Sequence, residues 1–221
     1  MSITRVLAFP TGAMVLSAVS LSATPELSVY RGLSFGMSVA RVAQQCSISP
    51  EPRTVDRRPE LIQELMWMPP RVEGIAGDSV QKVLFTFYND RLARIAVSYE
   101  RSRTEGLTAE DLIEAISATY GGTALSAAGS KAGNLDDRIL ARWEDADTSI
   151  TLFRSKYLST FGLVLLSKRL DALTTVAHAE AILLDEREAP AREVARQQQR
   201  SDDDRLKEEA VRRVNRAAFK P

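Results

Sequence analysis

The side chains that could do chemistry in this 221-residue sequence are few: one histidine, His178, and one cysteine, Cys46. A Ser-His-Asp triad would have to use His178. That residue sits in Ala177-His178-Ala179-Glu180-Ala181, a helical pattern, and no Gly-x-Ser-x-Gly elbow accompanies it. The expectation is a surface or partly packed helical histidine. One His and one Cys argue against a His/Cys zinc site, and a disulfide within the chain is impossible. Cys46 ends the series Val39, Val42, Ala43, Cys46, which has the i, i+3, i+4, i+7 spacing of an apolar helix face. A small buried hydrophobe is expected there, because no basic neighbour stands by to activate a thiolate.

The carboxylates offer little more. Asp145-x-Asp147-x-Ser149 begins like an EF-hand loop, but Ile150 stands where Gly is needed and Lys156 where the bidentate Glu belongs. A solvated hairpin turn is expected instead. Asp202-Asp203-Asp204, after Ser201 and before Leu206, reads as the acidic start of a helix. Asp136, Asp137 and Glu144 could serve as a carboxylate pair, yet nothing in their spacing makes them converge. Neither a P-loop nor a Gly-x-Gly-x-x-Gly turn occurs. The residues therefore predict no catalytic group, no metal site and no cofactor. With 29 basic and 29 acidic side chains, no concentrated positive field is available for nucleic acid.

Exposed apolar and basic residues point to binding instead. Met66-Trp67-Met68, just before Pro69-Pro70, could form a partner-binding lip, since Trp and Met are enriched in interfaces. The core is nevertheless the preferred place for Trp67. Near the C-terminus Arg212, Arg213 and Arg216, with Lys220, make the end of the chain mildly basic. The tail reads first as a solvated, partly frayed extension, and alternatively as a helix that docks to a partner or an anionic surface.

The elements that must position these groups follow from pattern. From Val6 to Ala23 no residue is charged, and the stretch ends Leu21-Ser22-Ala23 before Thr24-Pro25-Glu26. This predicts an export signal over 1–23, cleaved after Ala23, and a periplasmic or secreted protein. The membrane would be touched only through that segment if it stayed uncut. Ser38 is placed to cap a helix from Val39 to Cys46. Ser47 to Pro59 carries three prolines and reads as loop, and Leu61 to Trp67 as a strand or short helix. Val83–Tyr88 and Arg91–Tyr99 flank Asn89-Asp90 and form a hairpin. Thr108 and Asp111 have capping-box spacing at the start of a second helix. That helix carries Leu112, Ile113, Ile116 and Tyr120 and stops at Gly121-Gly122. Ser126 to Asp136 reads as loop. Ile139–Trp143, Ser149–Phe153 and Tyr157–Ser167 are β-type runs.

Gly36-Met37-Ser38 with Val42 matches Gly106-Leu107-Thr108 with Leu112 about 70 residues later. The chain is thus read as α+β. Two similar halves, about 30–100 and 105–167, each a helix followed by a β-meander, share one antiparallel sheet with helices on one side. The domain spans 24–170, and 171–221 is a charged helical tail with an apolar stripe at Leu173, Val176, Ala177, Ala181 and Leu184. Pro190 should kink that tail or restart its helix.

Gly36-Met37-Ser38-Val39-Ala40-Arg41-Val42, then Trp67, then Val83-Leu84-Phe85-Thr86-Phe87-Tyr88-Asn89-Asp90-Arg91-Leu92, resembles the domain of the outer-membrane assembly lipoprotein BamE (SmpA). The tandem arrangement is similar to the β-lactamase-inhibitor-protein fold, which carries two such units. Tyr30-Arg31-Gly32-Leu33-Ser34-Phe35-Gly36-Met37-Ser38 also resembles the start of a group of bacterial exported proteins. These likenesses imply a fold over about residues 30–165, and they specify fold more than function. They depart from this chain in two ways. BamE-like lipoproteins are anchored through a Cys at the signal cleavage site, which is absent here, and the inhibitor proteins use disulfides. The expectation is a non-enzymatic protein-binding module of the cell envelope whose partner is another envelope protein. A hydrolase or enzyme-inhibitor activity is the alternative.

Overall fold

The structure is a computed structural model, and it describes residues 26–70, 78–121, 125–126, 138–155 and 160–220. The expected signal segment, most of the 126–136 loop, Asp136 and Asp137, and the first residues of the 157–167 run lie outside the described residues.

The sheet grows from the hairpin the sequence announces. Strands β5 (Val80–Tyr88) and β6 (Arg91–Tyr99) pair antiparallel. Asn89 and Asp90 between them both take positive φ, 46° and 59°, the backbone of a tight turn that matches strand twist. Around this hairpin an eight-stranded sheet runs in the order β3-β4-β5-β6-β10-β9-β8-β7. Its other members are β3 (Arg53–Asp56), β4 (Ile62–Trp67), β7 (Leu125–Ser126), β8 (Arg138–Glu144), β9 (Thr148–Arg154) and β10 (Phe161–Ser167). Every pairing is antiparallel. A separate two-stranded ribbon, β1 (Val29–Tyr30) with β2 (Leu33–Ser34), turns through Arg31 and Gly32, both at positive φ.

One expectation for this region fails. Ser47 to Pro59 is not all loop, because Arg53–Asp56 forms the edge strand β3. The prolines of this segment, Pro50, Pro52 and Pro59, stand outside the strand's four residues. An edge strand needs partners on one side only, so so short a segment pairs without a long β-type run.

Alternation along the strands sends Val83, Phe85, Phe87, Ile95, Val97, Ile150, Leu152, Leu163 and Leu165 to one face, all essentially buried. Helix α1 (Val39–Cys46) covers this face with Val39, Val42 and Ala43. Helix α3 (Ala109–Tyr120) covers it with Ile116, and Leu112, Ile113 and Tyr120 pack alongside. Truncating a side chain such as Phe85 or Phe87 to Ala would cost about 3–5 kcal/mol by lost burial and cavity formation. Both helices begin as their sequences dictate. Arg41 N–H donates to the Ser38 Oγ at 3.4 Å. At α3, Asp111 N–H donates to the Thr108 Oγ at 3.2 Å while the Thr108 N–H donates back to Asp111 Oδ2 at 2.8 Å. The start of α1 is also clipped to the β5–β6 turn, because Val39 N–H donates to Asp90 Oδ1 at 2.8 Å. A four-residue helix α2 (Arg101–Thr104) links the halves of the sheet.

The C-terminal helix α4 runs unbroken from Lys168 to Ala218, 51 residues or about 75 Å at 1.5 Å per residue. Its first residue, Lys168, lies three residues earlier than Asp171, where the periodic pattern suggested a start. Pro190 lies inside the helix and does not restart it. Asp202-Asp203-Asp204 therefore sits in mid-helix, not at an N-terminus. There Asp202 pairs with Arg205 and Asp204 with Lys207 one turn on, so local ion pairs satisfy the acids instead of a dipole.

Helix α4 begins against the sheet face opposite α1 and α3. Ile62, Tyr88 and Ala93 form a second cluster there with Leu170 and Ala177, with Val55 packed beside it. The docked stripe is Leu170, Thr174, Ala177, Ala181, Leu184, Glu188, spaced by fours and threes. All six are buried or half-buried. Leu173 and Val176, expected on the packed stripe, are 38% and 56% exposed. They lie one residue off the docked face, where hydrophobicity alone cannot choose between stripes.

Candidate functional site

The residues that suggested chemistry are separated by the fold and tied into structural contacts. His178 Nδ1 lies 2.6 Å from Asp56 Oδ2, joining α4 to the edge strand β3. Arg94 on β6 holds Asp171 through its Nε at 2.7 Å, and Arg58 holds Glu188 through both terminal nitrogens at 3.2 and 2.8 Å. These three pairs fasten the first twenty or so residues of α4 to the sheet. The hydrogen bond from Arg58 lowers the Glu188 carboxyl below its ordinary range. Glu144 faces Lys168 at 3.5 Å, and Lys168 also donates to the Asp145 carbonyl at 2.6 Å. Asp145 Oδ1 accepts from the N–H groups of Asp147 and Thr148 at 2.9 and 2.6 Å, as a β8–β9 turn requires. Cys46 is half-buried at the end of α1, and burial pushes its thiol up. Among the described residues no cluster of three or more His, Cys, Asp or Glu could hold a metal ion, and no helix is long and apolar enough to cross a membrane.

The expected binding residues fall in two places. Trp67 points to the helix-covered face and packs partly on the core, while Met66, one residue away, stands 51% exposed on the opposite face. Met68, just past the strand, is 67% exposed. The strand pleat thus splits the Met-Trp-Met lip between two faces. On Met66's face Leu84, Ala96, Val164 and Phe153 are half-exposed. Arg212, Arg213 and Arg216 are exposed on α4. Arg212 lies about 36 Å of helix beyond Glu188, the last α4 residue tied to the sheet. The arginines and the methionines cannot belong to one small site.

A cavity of about 460 Å³ was not anticipated from sequence. It lies between the β1–β2 ribbon, α2 and α3, on the helix-covered face. Val80, Leu112, Ile116 and Leu163 supply apolar walls, and Tyr30, Tyr99 and Tyr120 supply phenols. Arg31 lies over the Tyr30 ring, 5.5 Å from its centre, and forms a two-pronged salt bridge with Asp78. That pairing holds the Asp78 carboxyl below its usual range. Burial pushes the phenols of Tyr99 and Tyr120 up to about 12 and that of Tyr30 higher still. Tyr30 is 6% exposed, and its hydroxyl has no hydrogen-bond partner among the described residues. The one signal in the sequence was the Tyr30-Arg31-Gly32-Leu33 start, a tyrosine beside a tight turn. Its convergence with Tyr99 and Tyr120 is tertiary and has no local signature.

No match to the chain was found among known protein families, curated proteins or solved structures.

Proposed function

We propose that this chain is a non-enzymatic protein-binding module of the cell envelope, exported by its N-terminal segment, with α4 as its docking arm. The observation that carries the reading is the fate of α4. Beyond Glu188 about 30 residues, some 45 Å of helix, extend with every side chain exposed. That stretch has none of the tertiary packing from which most helical stability in proteins comes. Pairs such as Arg196 with Glu193 and Arg205 with Glu209 add only a few tenths of a kcal/mol each. Its exposed apolar residues include Val194, Leu206, Val211 and Val214, and Leu173 and Leu183 are exposed on the docked part. A partner helix or groove would satisfy those groups and the arm together. The basic trio Arg212, Arg213 and Arg216 would then meet an acidic rim. The partner would be another envelope protein. The face carrying Met66, Leu84 and Phe153 is a second surface for the same purpose.

The sheet itself reads as two helix-plus-meander units joined edge to edge through β6 and β10. The supporting observation is repetition in both order and backbone. One half runs α1 then β3-β4-β5-β6, and the other α3 then β7-β8-β9-β10. Gly36 and Gly106, two residues before each helix cap, have φ of 85° and 83°.

The test compares the full chain with one ending at Ala189, which keeps every α4 contact with the sheet. Both are tagged, crosslinked in their own cells and recovered from the envelope fraction. A defined partner held by the full chain and lost from the shorter one supports the arm. Equal retention moves the site to the sheet face. Absence of a partner from both sinks the reading.

A further inference from the structure

We infer that the occupant of the α4 arm is a second copy of this exported chain, paired antiparallel along α4 about a two-fold axis at the helix midpoint, Glu193. The inference rests on the reading of α4 as a docking arm and names its partner. One chain carries two unmet surfaces. Its arm runs past the sheet with Leu206, Val211 and Val214 exposed, and its docked half leaves Leu173 and Val176 exposed. A symmetric pair satisfies both at once, because each surface meets the other across the axis. End-to-end antiparallel pairing of residues 168–218 brings Val214 and Val211 within one residue of level with Leu173 and Val176 of the other copy. There is room beside α4 for a second helix. The docked half lies over Ile62, Tyr88 and Ala93, while Met66 and Leu84 lie four residues farther along β4 and β5. That is about 13 Å of strand, and neighbouring helices pack about 8–10 Å apart.

Charge selects the antiparallel direction. In this register the only like charges that come level are the two copies of Glu193 at the axis, and each is held by its own Arg196 at 2.7 Å. Glu186 comes level with Arg200. Arg212, Arg213 and Arg216 come level with Thr174, Leu173 and Leu170 of the other copy. That is the end of α4 beside the β8–β9 turn, where Lys168 N–H donates to the Asp147 carbonyl at 2.8 Å. Glu144, Asp145 and Asp147 of that turn are exposed and outnumber Lys168, so they supply the acidic rim for the basic trio. A parallel pair in register would instead set every charge beside its own copy, Asp202-Asp203-Asp204 and the three arginines included. The contact is also large enough. A strip about 10 Å wide along the ~75 Å of α4 covers about 750 Å² on each copy, close to the ~800 Å² per partner of a standard stable interface.

The experiment measures the mass of the full chain, and of the chain ending at Ala189, by sedimentation over a range of concentrations. The full chain is expected to become a dimer as concentration rises, and the shorter chain to stay a monomer. Changing Arg212, Arg213 and Arg216 together to Glu should weaken the dimer about tenfold or more with circular dichroism unchanged, and high salt should shrink that effect. Direction is read by oxidising single cysteines in a Cys46→Ala background. Glu193→Cys should link the two copies, whereas Leu206→Cys, about 39 Å of helix from its counterpart, should not. Links at both positions mean a parallel pair and overturn the inference, as does a dimer that survives the loss of residues 190–221. A full chain that stays monomeric also overturns it. Crosslinking from Val211 in the envelope then separates the two readings: an adduct with a different protein keeps the docking arm, and no adduct loses both.

Discussion

Gly162 should be intolerant of a methyl group for a reason specific to its neighbour. In β10 it pairs directly with Phe153 of β9, and the Phe153 ring lies across it. A Cβ at Gly162 would fall among three ring carbons, closer than real Cβ atoms come to other atoms. Ordinarily Gly→Ala in a strand gains about 0.5–1 kcal/mol from reduced chain entropy. Here the ring must leave. Phe153 is half-buried, so lifting it forfeits about half of the ~1.5–3 kcal/mol that full burial of Phe supplies. Residual overpacking adds about 1 kcal/mol or more. The net cost of Gly162→Ala should be about 1–2 kcal/mol, a fall in melting temperature of roughly 2–8 °C for a chain of this size. In a Phe153→Ala background the same substitution should be neutral or stabilising. A double-mutant cycle by urea unfolding would then give a coupling of about 2 kcal/mol. Equal effects in the two backgrounds would refute the account of a ring packed on bare backbone.

Other expectations follow from the same structure. Gly36→Ala and Gly106→Ala each place a Cβ in open space at positive φ, so only backbone strain acts and each should cost about 1–2 kcal/mol. Unequal costs by urea unfolding would count against equivalence of the two units. The capping oxygen of Thr108 should contribute about 1 kcal/mol, measured as the loss in Thr108→Ala. Asp78, Asp111 and Glu188 have carboxyls lowered by hydrogen bonds from Arg31, Thr108 and Arg58. Their stabilisation is complete above the ordinary carboxyl values of 3.8 and 4.5 and is lost as pH falls through the lowered ones, so urea midpoints should drop only in strong acid. Tyr99 and Tyr120 act in the opposite direction. Their raised phenols favour the fold fully below 10.0, and that stabilisation disappears as pH climbs toward about 12.

The parts of the fold that are local were legible in the sequence. The Asn89-Asp90 turn, the α1 helix, the Thr108–Asp111 capping box and the β8–β9 turn each depend on residues within a few positions of one another. What depended on distant residues was not. The edge strand β3 is four residues among prolines, and only pairing with β4 makes it a strand. Continuity of α4 through Pro190 depends on the flanking helix outweighing one lost hydrogen bond, a balance that periodicity does not weigh. The docked stripe of α4 was legible at Ala177, Ala181 and Leu184 but not at its start, where the more hydrophobic Leu173 and Val176 masked Thr174 as the residue that faces the sheet. The tyrosine cavity draws on residues 30, 99 and 120, which no window spans. Met66-Trp67-Met68 was recognisable as unusual, but only the strand pleat tells which face each side chain takes.

The central claim, that α4 docks a partner protein, is tested most directly by site-specific photo-crosslinking in the producing cells. A photoreactive residue is placed at Val211 on the arm, at Met66 on the open sheet face, and at exposed Glu51 as a control. The account predicts one discrete heavier adduct from Val211, weakened when Arg212, Arg213 and Arg216 are changed to Ala. Adducts from Met66 alone, or a pattern at Val211 no different from that at Glu51, would contradict it.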